Sequence, residues 1–256
     1  MHILVANDDG VFAPGIAALA AAMVPLGKVS VVTCSENRSA IGHRKTMHKP
    51  IRIDPVDLAI EGVTAYATDA SPSDSIAVAL LGLLDEPVDL VVSGINRGPN
   101  MGQDLTYSGT VSAAFEAVIF GKPALAFSLL AREADADYSA AAAIAQKLVR
   151  QNFHTQLPPL TLLNVNIPAL PLDQIKGVKI VRQGVRTYND VLIKRIDPYG
   201  RPYYWIGGAE PSGNTDDPDT DLWAIHNGYV SITPVHLNMT NQAFMQTMET
   251  WDIDVS

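Results

Sequence analysis

Short, unbroken runs of apolar and β-branched residues alternate along this chain with longer stretches of helical periodicity, and few architectures accept that order. His2 to Ala6 (HILVA) is one such run; it ends in Asn7-Asp8-Asp9-Gly10 and reads as a buried strand followed by a turn. Pro14 suits the first turn of a helix through Ile16, Leu19, Ala20 and Met23, and Gly27 stops it. Lys28 to Thr33 (KVSVVT) is a second strand. Strand, helix and strand in that order predict a parallel βαβ unit with a right-handed crossover.

The pattern recurs. Ser71-Pro72-Ser73-Asp74 opens a helix through Leu84, with Ser71 as cap and Pro72 at the first position. Val88 to Val92 is a strand, continuously apolar as buried parallel strands tend to be. A Gly/Asn-rich loop is expected from Ser93 to Tyr107, then a helix from near Ser108 to Gly121. Ala124 to Leu129 reads as a strand, Tyr138 to Arg150 as a helix and Thr161 to Val165 as a strand. After about residue 185 the texture changes. Tyr188 to Ile193 and Tyr203 to Ile206 flank the turn Asp197-Pro198-Tyr199-Gly200, a hairpin signal. Gly207 to Asp221 reads as a loop whose acids, Asp216, Asp217, Asp219 and Asp221, are solvated. A strand from Tyr229 to Thr233 and an amphipathic helix from Asn241 to Trp251 close the chain. One domain is expected, with a core over about 1–185 and an arm and C-terminal extension over about 186–256. An exposed hairpin and a terminal amphipathic helix are elements that pack on another subunit.

At 256 residues, 47% hydrophobic and 18% charged, the chain can bury a sizeable core and is not disordered. A net charge of -9, with no basic run beyond His43-Arg44-Lys45, argues against duplex nucleic acid as a partner. The single cysteine, Cys34, reads as a small buried residue in a reducing compartment. Acids at positions 8 and 9 leave no room for a signal-peptide apolar stretch, and the apolar run Ile16 to Leu26 is too short to span a bilayer. No membrane partner and a cytoplasmic location are expected.

Open parallel sheets bind ligands beyond the carboxyl ends of their strands. Three polar loops leave such ends here. In the first, the neighbouring carboxylates of Asp8 and Asp9 repel unless a cation lies between them, and hard oxygens suit Mg²⁺ or Mn²⁺ better than Zn²⁺. The second, Asn37-Arg38-Ser39, offers a hydroxyl for a metal and a guanidinium for phosphate oxygens. The third runs from Ser93 through Asn96 and Asn100 to Tyr107-Ser108-Gly109-Thr110, where Asn96 offers a neutral oxygen and the start of a helix offers an anion site. Gly109 lets the backbone approach that anion. His43 and His48 read as surface histidines, and Glu116 as an ordinary helix residue.

Asn7-Asp8-Asp9-Gly10, Arg38-Ser39, Ser93-Gly94-Ile95-Asn96-x-Gly98-x-Asn100 and Tyr107-Ser108-Gly109-Thr110-Val111 together resemble the stationary-phase survival protein SurE family. Asn164-Val165-Asn166-Ile167-Pro168 and Gly228-Tyr229-Val230-Ser231-Ile232-Thr233-Pro234 extend the resemblance over nearly the whole chain. Two positions depart from the pattern: Ala40 and Ala117 stand where glycine is frequent. The resemblance implies an α/β fold with a Rossmann-like, mostly parallel sheet, and a metal-dependent 5′/3′-nucleotidase acting on nucleoside monophosphates. It implies one divalent cation per subunit, held by Asp8, Asp9, Ser39 and Asn96, with Asp8, Asp9 and Asn96 as the catalytic set. Phosphate contacts map onto Ser108, Gly109 and Thr110, with Asn100 and Arg38 nearby. It also implies a homodimer or homotetramer built with the hairpin and an exchanged C-terminal segment.

The nearest rival class, haloacid-dehalogenase phosphatases, needs an aspartate where this chain has Asn7, so no phosphoaspartate could form there. Direct attack by water follows, because a divalent cation can lower the pKa of bound water from about 15.7 toward 7–9. A nucleotide-binding stress sensor without turnover would use the same loops. A nucleotide-sugar transferase fits poorly, since no Asp-x-Asp follows a later strand in the expected place.

Overall fold

The computed structural model describes residues 1–255, with the side chains of 209–211 outside that description. Strand β1 (His2–Ala6) is buried along its whole length and sits near the middle of a nine-stranded sheet. On one side it pairs in parallel with β2 (Lys28–Cys34), and on the other with β5 (Leu90–Arg97). Beyond β2 lies β4 (Val63–Thr68), parallel, and then the antiparallel edge strand β3 (Ile53–Val56). Beyond β5 lie β6 (Ala124–Leu130) and β7 (Thr161–Pro168), both parallel. Strand β11 (Val230–His236) joins β7 antiparallel and carries β8 (Val178–Ile180) at the far edge. Chain order therefore reverses across β1, and the crevice above its carboxyl end is the switch point where open α/β sheets take ligands.

Alternation along β1 feeds two cores. Ile3 and Val5 pack with Ile16, Leu19 and Met23 of α1 (Pro14–Met23) and with Ala141, Ile144, Ala145 and Val149 of α4 (Ser139–Arg150). Leu4 and Ala6 face the other way, onto Ile76 of α2 (Pro72–Val78) and Val111, Ala114 and Val118 of α3 (Gly109–Ile119). Helix α1 lies so close to β5 that a Cβ at Gly15 would stand 2.0 Å from the Ile95 carbonyl oxygen. The cap at Ser71 is a full capping box, with Ser71 and Asp74 each accepting from the other's backbone N–H.

The sequence reading differs from the structure in definite places. The strand expected to end at Val92 runs on to Arg97, where, past a register shift after Ser93, Asn96 and Arg97 pair with Ser128 and Leu129. The loop expected from Gly207 is strand as far as Gly213: β9 (Arg186–Ile196) and β10 (Pro202–Gly213) form a long antiparallel arm with an irregularity between Ala209 and Ser212. Asp221 is not solvated. It is fully buried at the start of α5 (Asp221–His226) and accepts from the N–H groups of Gly102, Gly184 and Leu222. The arm presents Leu192, Ile196, Trp205 and Ile206 to solvent, and α6 (Gln242–Met248) has no buried residue.

Candidate active site

Asn7 is structural. Its amide donates to the Gly10 carbonyl at 2.9 Å and accepts from the Thr33 hydroxyl at 2.8 Å, so the residue that a phosphoaspartate mechanism would need is spent on holding the turn. That turn delivers two carboxylates in different directions. Asp8 is 3% exposed, and its Oδ1 accepts from Thr110 Oγ1 at 2.5 Å, which ties it to the start of α3. Asp9 accepts from the Arg97 backbone N–H at 3.1 Å and from Asn37 Nδ2 at 3.5 Å, which ties it to the end of β5 and to the loop after β2. Gly109 is required by this geometry: a Cβ there would come within 2.6 Å of Asp8 Cβ and 2.8 Å of its Oδ2.

The electrostatics of the pair are unbalanced. Burial, reinforced by the charge of Asp9 and only partly countered by the Thr110 hydrogen bond, pushes the Asp8 carboxyl up to about 6. Burial also raises Asp9, against the opposing pull of Arg97. Neither carboxylate has an ion-pair partner within 4 Å among the described residues. Adjacent carboxylates, one buried and one half-buried, with no ion-pair partner are what a divalent cation relieves. No third His, Cys, Asp or Glu is grouped with them among the described residues, so a cation held here would need neutral oxygens to complete the two carboxylates. Asn96 fits: its Nδ2 is fixed on the Gly98 carbonyl at 2.8 Å, leaving Oδ1 as the free acceptor. Ser39 fits as well, being exposed with a hydroxyl that makes no hydrogen bond among the described residues. Hard oxygens of this kind suit Mg²⁺ or Mn²⁺.

The loop carrying Ser39 lies directly on the turn, because Arg38 donates its N–H to the Asp8 carbonyl at 2.6 Å. Arg38 Nε is buried without a partner. Ala40 holds φ +56°, the left-handed region that favours glycine. At the α3 start, Ser108 Oγ accepts from the Val111 N–H at 3.1 Å, so this hydroxyl is used as a cap. Asn100 is clamped rather than open: it is held by Ser128 through Nδ2 at 2.7 Å and by Asn164 and Asn166 at its backbone, which accounts for the Asn164-Val165-Asn166 motif.

One group escaped the sequence reading. Glu116 is fully buried in α3, with His43 Nε2 at 2.7 Å from Oε2 and Lys45 Nζ at 3.0 Å from Oε1. The Lys45 approach is an ion pair rather than a well-aligned hydrogen bond. Burial alone would raise Glu116; the contacts from His43 and Lys45 more than offset it and hold the carboxyl below its ordinary range. Gly42 donates to the Tyr107 carbonyl at 2.9 Å, Ser71 Oγ to the Arg44 carbonyl at 2.6 Å, and the Thr46 N–H to Asp74 at 2.9 Å. The segment that bears Arg38 and Ser39 is thereby fastened to the starts of α2 and α3. An acid in the otherwise apolar helix GTVSAAFEAVI was the signal that a partner must exist.

Comparison with known proteins agrees with this architecture. The family model for survival protein SurE matches residues 3–190. The 5′-nucleotidase SurE of Geobacter sulfurreducens is 46% identical over 253 residues, covering 99% of this chain and 94% of that protein. The 5′-nucleotidase SurE of Moorella thermoacetica is 48% identical over 248 residues, covering 97% and 95%. The crystal structure of the SurE protein from Aquifex aeolicus superposes with a TM-score of 0.82 at 41% identity, covering 97% of this chain and 98% of that one. The switch-point carboxylates, the fastened second loop and the capped helix start thus lie within a chain that belongs to the survival protein SurE family.

Proposed function

We propose that this chain is a metal-dependent nucleotidase that hydrolyses nucleoside 5′- and 3′-monophosphates to nucleoside and phosphate. The observation that carries the reading is the pair at the switch point, Asp8 buried against the start of α3 and Asp9 half-buried at the end of β5, neither with an ion-pair partner among the described residues. Asp8, Asp9, Ser39 and Asn96 would hold one Mg²⁺ or Mn²⁺ per subunit. When bound, such an ion supplies Lewis acidity toward a phosphoryl oxygen and lowers the pKa of a neighbouring water.

The chain's own residues do the rest. The backbone at Gly109 and Thr110, at the positive end of α3, receives phosphoryl oxygens, and the unpartnered Arg38 Nε adds a charged donor. Asn100 keeps the third loop at the right height, with one amide N–H spent on Ser128 and the other free for substrate. Asp9, more accessible than Asp8, would accept the proton of the attacking water as its oxygen bonds phosphorus, and return that proton to the nucleoside oxygen as the bond from phosphorus to it breaks. Relatives named 5′-nucleotidase SurE support the substrate class. The exposed arm and α6 support a homodimer or homotetramer; the core expected to end near residue 185 also takes in α5 and β11, so the assembling part is the arm and α6. No helix among the described residues is long and apolar enough to cross a membrane; we place the protein in the cytoplasm on its single, buried, unpaired Cys34.

Phosphate release from AMP and 3′-AMP tests the reading. Activity is expected with Mg²⁺ or Mn²⁺, to vanish in EDTA, and to return on adding the ion. Full activity after exhaustive chelation would exclude the metal assignment. Tight AMP binding with no phosphate release would favour a sensor without turnover.

A further inference from the structure

Between the β1–α1 turn and the end of β5 the surface opens into a cavity of about 330 Å³, at the lower end of the roughly 300–1,000 Å³ typical of small-ligand sites. Asp9 forms part of its wall, so the cavity adjoins the carboxylate pair. Phe12 lines it with 71% of its surface exposed. A lone exposed aromatic is ordinary. Phe12 differs in its position: it stands three residues beyond Asp9 on the same turn, at most about 10 Å of chain away. That separation is of the order of the reach from phosphate to base in a nucleoside monophosphate. Tyr138 lines the cavity too, 6% exposed and packed so tightly on α1 that a Cβ at Gly15 would come 3.0 Å from its Cε1. The rim carries both signs of charge: Glu36 and Arg97 line the cavity, and neither has an ion-pair partner among the described residues.

We infer that this cavity is the nucleobase subsite, with Phe12 stacking on the base while Glu36 and Arg97 meet its polar edge. The inference rests on the nucleotidase reading and adds a specificity determinant outside the metal and phosphate residues. Every base has a π-face, so a single aromatic platform binds purines and pyrimidines alike. Charged edges of opposite sign at the rim then weigh one base against another through its donors and acceptors.

Adenosine, the product lacking phosphate, isolates the subsite. Isothermal titration calorimetry is expected to show adenosine binding weakened roughly 5- to 100-fold in Phe12→Ala and retained in Phe12→Tyr. The inhibition constant of inorganic phosphate against AMP hydrolysis is expected to be the same in all three proteins. Wild type that fails to bind adenosine, Phe12→Ala that binds it as well as wild type, or a joint loss of adenosine and phosphate affinity would each overturn the assignment. Absence of phosphate release from AMP by wild type would instead sink the nucleotidase reading, and the adenosine titration would still report on the cavity.

Discussion

Replacing Asp8 with Asn is expected to stabilise the metal-free protein while abolishing its activity. Burial, with help from the charge of Asp9, takes the Asp8 carboxyl from 3.8 to about 6 in the folded chain. Between those values the folded state keeps a proton that the unfolded chain has released. Stability therefore falls as pH rises through this window, and the whole loss is present at neutral pH. Two pH units at about 1.4 kcal/mol each come to roughly 3 kcal/mol. Asparagine carries no charge to desolvate and can still accept the Thr110 hydrogen bond through its carbonyl oxygen. For a chain of this size, roughly 3 kcal/mol corresponds to about 6–12 °C in Tm. The assay is differential scanning calorimetry of both proteins in EDTA from pH 4 to pH 8. Melting temperatures should converge at the acid end and separate on the way to neutrality, the variant melting higher. Adding Mg²⁺ should then lift wild type more than the variant. A gap that does not change with pH, or a variant that melts lower at neutral pH, would refute the reasoning.

Gly109→Ala should cost about 100-fold or more in kcat with the circular dichroism spectrum unchanged, because the new methyl group must displace the Asp8 carboxylate. Glu116→Gln should lose about 1–3 kcal/mol at neutral pH and expose residues 38–48 to faster proteolysis. Since the Glu116 carboxyl is held below its ordinary 4.5, wild type gives up the same contribution on acidification and the difference should close below that value, as urea titrations at two pH values would show. Removing residues 190–206 should lower the oligomeric state measured by light scattering, because it takes away the exposed apolar side chains of the arm that are proposed to assemble; an unchanged state would count against that role.

The central strands were legible because each is buried on both faces and so carries a mostly apolar run, β1, β2 and β6 above all. Strand β4, Val-Thr-Ala-Tyr-Ala-Thr, has too little apolar bulk to declare itself, and β3 contains Pro55, which is tolerated only because an edge strand can spare the N–H. The far end of β5 read as loop because Gly94 and Asn96 are poor strand formers, yet the pairing of Asn96 with Ser128 keeps it in the sheet. Strand β10 hid its last residues behind Gly, Pro and Ser, since a strand exposed over most of its described length need not alternate. At the site, Asp8 and Asp9 could be read from adjacency and strand-end position. The His43–Glu116 contact could not, because it joins residues 73 apart in sequence. Neither could the burial of Asp221, which looks like one acid among four until the backbone N–H groups of Gly102 and Gly184 are seen to converge on it.

That carboxylate gives the molecule a shared hinge pin. One oxygen of Asp221 secures the loop that leads to Ser108, and the other secures the stretch from which the arm departs. Tension applied to the arm would thus reach the segment before α3 through this side chain, alongside the Arg186 and Tyr188 contacts to Asp104. Kinetic screens of this protein should accordingly return hits at residues remote from any substrate, and damage at the root of the arm would masquerade as a fault in chemistry.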